Sequence, residues 1–159
     1  MNRAMRIAAL VAGLVLPLPA MALCAACSCT VSSTNVAFGN YDPTAPSPDD
    51  TSGNISINCT GLLALLGSID VTISPGGSGA ALSRNLQKGA NQLNYNLYTD
   101  SGRTTVWGDG TGGTNKVTIP LTLGLLTFSA STPVYGRIPA HQWVAAGAYT
   151  DTVTISITY

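Results

Sequence analysis

The sequence predicts an all-β chain folded as a single antiparallel β-sandwich. Three observations carry this reading: a composition poor in helix-surface residues, short stretches alternating apolar with polar side chains, and turn-forming clusters between them. Of 159 residues only 9% are charged, against roughly 25% in an ordinary soluble domain. The charges are seven Asp, five Arg and two Lys, with no Glu. Long, straight side chains normally cover exposed helix faces because they lose little freedom there. Here 19 Thr, 14 Ser, 10 Asn and 17 Gly take their place, residue types that suit strands and turns. Zero net charge and few basic residues argue against nucleic acid, whose phosphates demand Lys and Arg. The length fits one domain and hardly two.

Residues 1–22 stand apart from the fold. Arg3 and Arg6 precede an apolar run over residues 7–18, and Ala20-Met21-Ala22 supplies the small residues that a signal peptidase reads. The run is shorter than the ~20 residues a membrane helix needs, and no Leu-x-(Ala/Gly) triplet precedes a cysteine as in a lipoprotein. A signal peptide over 1–22 and a folded domain over 23–159 are therefore expected, with export and no membrane span after cleavage. Removal of two Arg leaves the domain mildly acidic.

The predicted strands follow in order. Ile55, Ile57 and Cys59 share one face of residues 54–60. Ile69, Val71 and Ile73 alternate with Asp70, Thr72 and Ser74; Leu93, Tyr95 and Leu97 alternate with Asn94, Asn96 and Tyr98. Residues 117–123 alternate too, and Pro120 there marks an edge or a bulge. The last strand is the clearest, with Val153, Ile155, Ile157 and Tyr159 set against Thr152, Thr154, Ser156 and Thr158. Turn clusters occupy residues 43–53, 74–79, 100–103 and 108–113. The apolar run 62–66 is too short for a helix. Strands so spaced, with no helices between them, give a sandwich.

Export favours pairing of the four cysteines, Cys24, Cys27, Cys29 and Cys59. Of the three possible connectivities we favour Cys29–Cys59, because each lies on a strand-like segment. Such a closure contributes roughly 3–4 kcal/mol. Cys24 and Cys27 then form either a local disulfide or two free thiols. Their C-x-x-C lacks the βαβ context of a redox motif and the second ligand pair of a zinc site.

Catalytic chemistry is scarce. His141 is the sole histidine and there is no Glu, so neither a carboxylate pair nor a Ser/His/Asp triad has its usual material. The glycine-rich run 108–113 lacks the Gly-Lys-(Ser/Thr) ending of a phosphate loop, and Asp109 has few neighbours for a calcium loop; a hairpin turn is the plain reading. Asp49-Asp50 reads as a solvated loop, and the two Asn-x-(Ser/Thr) triplets at Asn54 and Asn58 as products of β-composition. No enzyme, cofactor or metal site is expected.

The residues do resemble a known family. Cys29-Thr-Val, Val36-Ala-Phe-Gly-Asn-Tyr-Asp-Pro43 and Ile55-Ser-Ile-Asn-Cys-Thr60 resemble the opening of a spore coat protein U domain. The resemblance continues through Arg84, residues 93–100, Trp107-Gly-Asp-Gly-Thr111, Val134-Tyr-Gly-Arg-Ile-Pro139 and residues 147–153. It covers nearly the whole exported part. It implies kinship with pilin subunits of the archaic chaperone–usher pathway, and hence an incomplete immunoglobulin-like sandwich missing its final strand. A periplasmic chaperone fills the groove of such a subunit, and at an outer-membrane usher the N-terminal strand of a neighbouring pilin subunit replaces it. The family's cysteine pair matches Cys29 and Cys59. By position, Val31, Val36 and Phe38 from the first strand and Val153, Ile155, Ile157 and Tyr159 from the last would line the groove, and the chain ends at Tyr159 in strand-like sequence.

One departure matters. Only Leu23–Ser28 lies between the predicted cleavage site and Cys29, too little for a donor strand. A tip or minor subunit that accepts a strand but donates one weakly or not at all is therefore expected. The alternative is a self-contained secreted or spore-coat-type structural protein. A third class, a carbohydrate-binding or hydrolytic domain, would use Trp107, Trp143 and a few Asp.

Overall fold

The computed structural model describes residues 28–61, 67–121 and 127–159. The predicted signal peptide, Cys24, Cys27 and the 62–66 run lie outside them. Among these residues nine strands follow one another: β1 (Ser28–Ser33), β2 (Asp49–Thr60), β3 (Ser68–Ile73), β4 (Asn85–Lys88), β5 (Asn91–Asn94), β6 (Asn96–Tyr98), β7 (Val117–Pro120), β8 (Thr127–Ile138) and β9 (Ile155–Thr158). One antiparallel sheet has the order β1-β2-β8-β6, a second has β7-β3-β9, and β4-β5 is a separate hairpin. The architecture is all-β and antiparallel among the described residues.

Period-two patterning places the core between the sheets. Ile55, Ile57 and Cys59 of β2, Val134 and Ile138 of β8, and Ile69, Val71 and Ile73 of β3 are buried together with Leu93, Tyr95, Leu97 and Trp107. The opposite face of β2 and β8 is a ladder of Asn and Ser. Asn54 bonds Ser131, and Ser129 donates to Asn58, so both asparagines of the Asn-x-(Ser/Thr) triplets are cross-strand partners.

Arg84 is the polar centre of the interior. It is fully buried, and its guanidinium donates to the carbonyls of Ile73, Ser74, Ala81 and Trp107 and to Oδ1 of Asn96. Backbone dipoles replace a carboxylate, and burial lowers its pKa from the ordinary value.

Four elements differ from expectation. β1 ends at Ser33, so Val36 and Phe38 are not on the first strand. The 93–98 alternation is two strands broken at Tyr95, because the chain changes partners there: β5 pairs with β4, and β6 pairs with β8. The final strand begins at Ile155, although Thr154 still exchanges bonds with Ser74. β8, paired with β2 along all its length, has no counterpart in the sequence reading. Its inward positions include Ala130, Thr132 and Gly136, which mute the alternation, and Pro133 lies in its middle. Asn54, opposite Pro133, turns both its N–H and its C=O toward Thr34. Pro133 therefore directs its nitrogen away from β2, toward β6, which pairs only with Tyr135, Gly136 and Arg137. No ladder bond is lost. Pro120, by contrast, sits on edge strand β7 as expected.

Candidate functional site: an open cleft at two sheet edges

β1 is at one edge of the first sheet and β9 at one edge of the second. Residues 33–41, leaving β1, and residues 144–155, leading into β9, form the walls of a cleft of about 1330 Å3. Its floor is the core itself, including Ile55, Ile73, Leu93, Tyr95, Val134 and Ile138.

The first wall lies where it does because two glycines admit it. A Cβ on Gly53 would stand 2.8 Å from the Thr34 carbonyl oxygen, and one on Gly136 only 2.6 Å from Val36 Cγ1 and 2.8 Å from Phe38 Cζ. With neither Cβ present, the chain beyond β1 steps onto the inner face of β2 and β8. Thr34 N–H donates to the Asn54 carbonyl (2.9 Å), and Thr51 Oγ1 donates to the Ala37 carbonyl (2.9 Å). Phe38 meets Tyr95 edge-on, with ring centres 5.9 Å apart. Tyr41 closes the wall by donating to the Pro139 carbonyl (2.9 Å) and accepting from Gln142 N–H (2.8 Å).

The second wall is tied down from outside the two sheets. Thr150 exchanges both backbone bonds with Gln87 of β4, and the Lys88 ammonium donates to the Ala146 carbonyl. Asp151 accepts from the Tyr95 hydroxyl (2.7 Å) and from Gly77 N–H (2.8 Å). Asp151 is the one charged side chain among the described residues lining the cleft, and these bonds satisfy it. Burial, together with the bond to Asp151, pushes the Tyr95 phenol well above its usual range.

Of the seven residues predicted for a groove, Val36, Phe38, Val153 and Ile155 line this cleft. Val31 and Ile157 pack half-buried against the core outside it, and Tyr159 is 42% exposed. The inward residues of the two edge strands, Cys29 and Val31 on β1 and Ile155 and Ile157 on β9, are half-buried. Those of central β3 are fully buried. Leu86, Tyr95 and Val144 join the lining without having been singled out as groove residues. Alternation had already turned Tyr95 inward, whereas Val144 stands in a stretch with no period to reveal it. Cys29 and Cys59 are bonded and directly opposite in the β1–β2 register.

The other candidates resolve differently. Trp107 is completely buried, with Nε1 donating to the Val71 carbonyl (3.0 Å). It is therefore a core residue and offers no stacking surface to a sugar, unlike Trp143, which is 74% exposed. Asp109 accepts from Thr111 N–H, Thr111 Oγ1 and Thr114 Oγ1, and those bonds hold its carboxyl below the usual range. It builds a turn. His141 is exposed at φ +63° in the β8–β9 connection. Asp50 is no loop residue: it lies on β2, where Arg137 grips it through two bonds of 2.7 and 2.8 Å.

The model of the Spore Coat Protein U domain family matches residues 18–156. The chain belongs to this family. Among curated proteins, Protein U of Myxococcus xanthus is 35% identical over 136 residues, 77% of this chain and 70% of that one. Among solved structures, the chain is similar to one in the CsuC–CsuE chaperone–tip adhesion subunit pre-assembly complex from the archaic chaperone–usher Csu pili of Acinetobacter baumannii. The TM-score is 0.56 at 20% identity, over 84% of this chain. This chain spans only 40% of the length of that solved chain, and the likeness is one of fold. In this member of the family the described residues leave a cleft open between the edge strands β1 and β9.

Proposed function

We propose that the protein is an exported structural or adhesive subunit of a surface pilus, assembled by a chaperone–usher pathway through donation of a strand into its cleft. The observation that carries this reading is the cleft at the edges of β1 and β9, floored by the hydrophobic core. Its volume exceeds the roughly 300–1,000 Å3 of small-molecule pockets, and apolar core side chains floor it, with one satisfied carboxylate, Asp151, on its wall. Unpaired edges and exposed core are an aggregation hazard in isolation. A donated strand supplies main-chain bonds to the edges and alternate side chains to the cleft. The partners are a periplasmic chaperone, an outer-membrane usher and neighbouring pilin subunits, and the route runs through the periplasm to the cell surface. In this reading the role is structural rather than enzymatic. The shared fold with a chain of a chaperone–tip adhesion subunit complex is compatible with this reading. A tip or minor position follows from the few residues, Leu23–Ser28, between the predicted cleavage site and Cys29.

The test is expression of the full chain with and without a chaperone encoded beside it. Insolubility alone, relieved by stoichiometric co-purification, is the expected result. The second reading, a self-contained secreted structural protein, is favoured by the similarity to Protein U. It predicts a soluble monomer that melts in a single transition without any chaperone. Self-polymerisation of purified mature protein through its own N-terminus would defeat the tip assignment.

A further inference from the structure

We infer that the strand-accepting groove is divided into two halves: one pairs with the main chain of the incoming strand and is indifferent to its sequence, and the other reads its side chains. This rests on the strand-acceptor reading above and specifies what kind of segment the site selects.

The division follows from where regular structure stops. At the end beside the Cys29–Cys59 bond, both flanks are true strands. Ser28–Ser33 and Ile155–Thr158 are each paired on one side only, so each presents a row of free backbone donors and acceptors. Beneath them the core is already covered: Ile57, Cys59, Ile69 and Val71 are buried, and none of them lines the cleft. Val31 and Ile157, the inward residues there, are also outside it. A strand laid across this end gains hydrogen bonds and little side-chain burial.

At the other end the flanks are not strands. Residues 34–41 run over Gly53 and Gly136, and residues 144–154 hang from Gln87, Lys88 and Tyr95. The open volume lies between them, walled by Val36, Phe38, Val144 and Val153. An incoming chain finds few edge groups to pair with here. It finds instead an open space, floored by core side chains and with its one carboxylate, Asp151, already bonded to Tyr95 and Gly77, that rewards large apolar side chains, whose burial scales with area. Ile155 is the junction, belonging both to β9 and to the cleft. The occupant we assign is an extended segment of another polypeptide chain, with bulky aliphatic or aromatic residues at alternate positions of one end and a β-competent, otherwise unrestricted sequence at the other.

A peptide series tests this on the full, disulfide-bonded chain. The probe is a synthetic peptide of about 12 residues with Val and Thr alternating, long enough at ~3.3 Å per residue to cover both halves. In one set each Val is changed to Ala; in the other each amide of one end or the other is N-methylated. Affinity by fluorescence anisotropy is expected to fall about tenfold for Val→Ala at one end only. N-methylation should cost several-fold, at the opposite end only. Hydrogen exchange should protect β1 and β9 under the N-methyl-sensitive end. On the protein, Val144→Ala should weaken binding about tenfold and Val31→Ala scarcely at all, with both melting as cooperatively as the parent chain. Both sensitivities at the same end, an even spread along the peptide, or an equal loss from Val31→Ala overturns the division while leaving strand acceptance intact. If no peptide of the series binds, strand acceptance itself fails and the division falls with it.

Discussion

Phe38 lies directly over Gly136, so close that a single added methyl would stand 2.8 Å from the Phe38 ring. The chain reaches the cleft through this contact, which fixes the distance between the wall formed by residues 34–41 and the face of β8. Gly136→Ala should therefore cost about 1–3 kcal/mol by overpacking, read as a lower urea midpoint. The same substitution should weaken binding of a strand-mimicking peptide, because Val36 and Phe38 must shift. Gly39, where an added Cβ would meet nothing within 4 Å, does not offer the same test: at φ +76° its substitution is strained for backbone reasons.

The Cys29–Cys59 bond staples an edge strand to its neighbour. Reduction, or replacement of both residues by Ser, should remove roughly 3–4 kcal/mol for a closed loop of about 30 residues. Dithiothreitol should lower the stability of the parent chain by the same amount and leave the double-serine variant unchanged. Hydrogen exchange should rise first in Ser28–Ser33, which pairs with one strand only.

Arg84 is expected to be among the least replaceable residues. Arg84→Met keeps much of the volume but strands the carbonyls of Ser74 and Trp107 without donors. Buried unsatisfied groups cost about 1–3 kcal/mol each, so a loss of at least about 3 kcal/mol, or failure to fold, is predicted. Arg84→Lys should fall between the two, since one ammonium cannot span acceptors that a planar fork reaches together.

The two tryptophans give an optical check. Trp107 should emit in the blue and resist iodide, and Trp143 should be freely quenched, in keeping with their exposures of 0% and 74%. Trp107→Phe, which frees the Val71 carbonyl and leaves a void, should destabilise by about 2 kcal/mol or more. Trp143→Ala should stay within about 0.5 kcal/mol.

Acid and base should act at different groups. Arg137 hydrogen bonds hold Asp50 below the usual carboxylate range, and Lys116 and Thr118 do the same for Asp70. Groups with a lowered folded pKa stabilise above their unfolded value, so stability should decline as pH falls below about 4. Asp50→Asn should flatten that decline. Tyr95 is shifted the opposite way. The folded state keeps its proton longer than the unfolded chain does, so stability should fall once pH exceeds about 10, where the unfolded phenol ionises. Tyr95→Phe should remove that alkaline loss at the expense of the bond to Asp151. Urea midpoints between pH 2.5 and 11 read both limbs.

Much of this molecule is legible in its sequence because alternation and turn chemistry are local. The inward faces of β2, β3 and β9 and the edge character at Pro120 follow from residue type and spacing, which also favoured Cys59 as the partner of Cys29 among three connectivities. β8 escaped because its inward row contains Ala130, Thr132 and Gly136, and the inward position of the glycine makes sense only once Val36 and Phe38 are laid upon it. The same contact hid the true end of β1. Asp50 read as a loop residue because nothing in its neighbourhood announces Arg137, 87 positions away.

The sequence by itself determined that the chain is all-β, low in charge and alternating along its final strand, for each of these is a sum over single residues or over neighbours two apart. The tertiary structure alone decided where the sandwich stays open. Two glycines on distant strands admit one wall, a hairpin outside both sheets and a buried tyrosine hold the other, and the cleft lies between them. Packing of that kind joins residues far apart along the chain, and no local period records it.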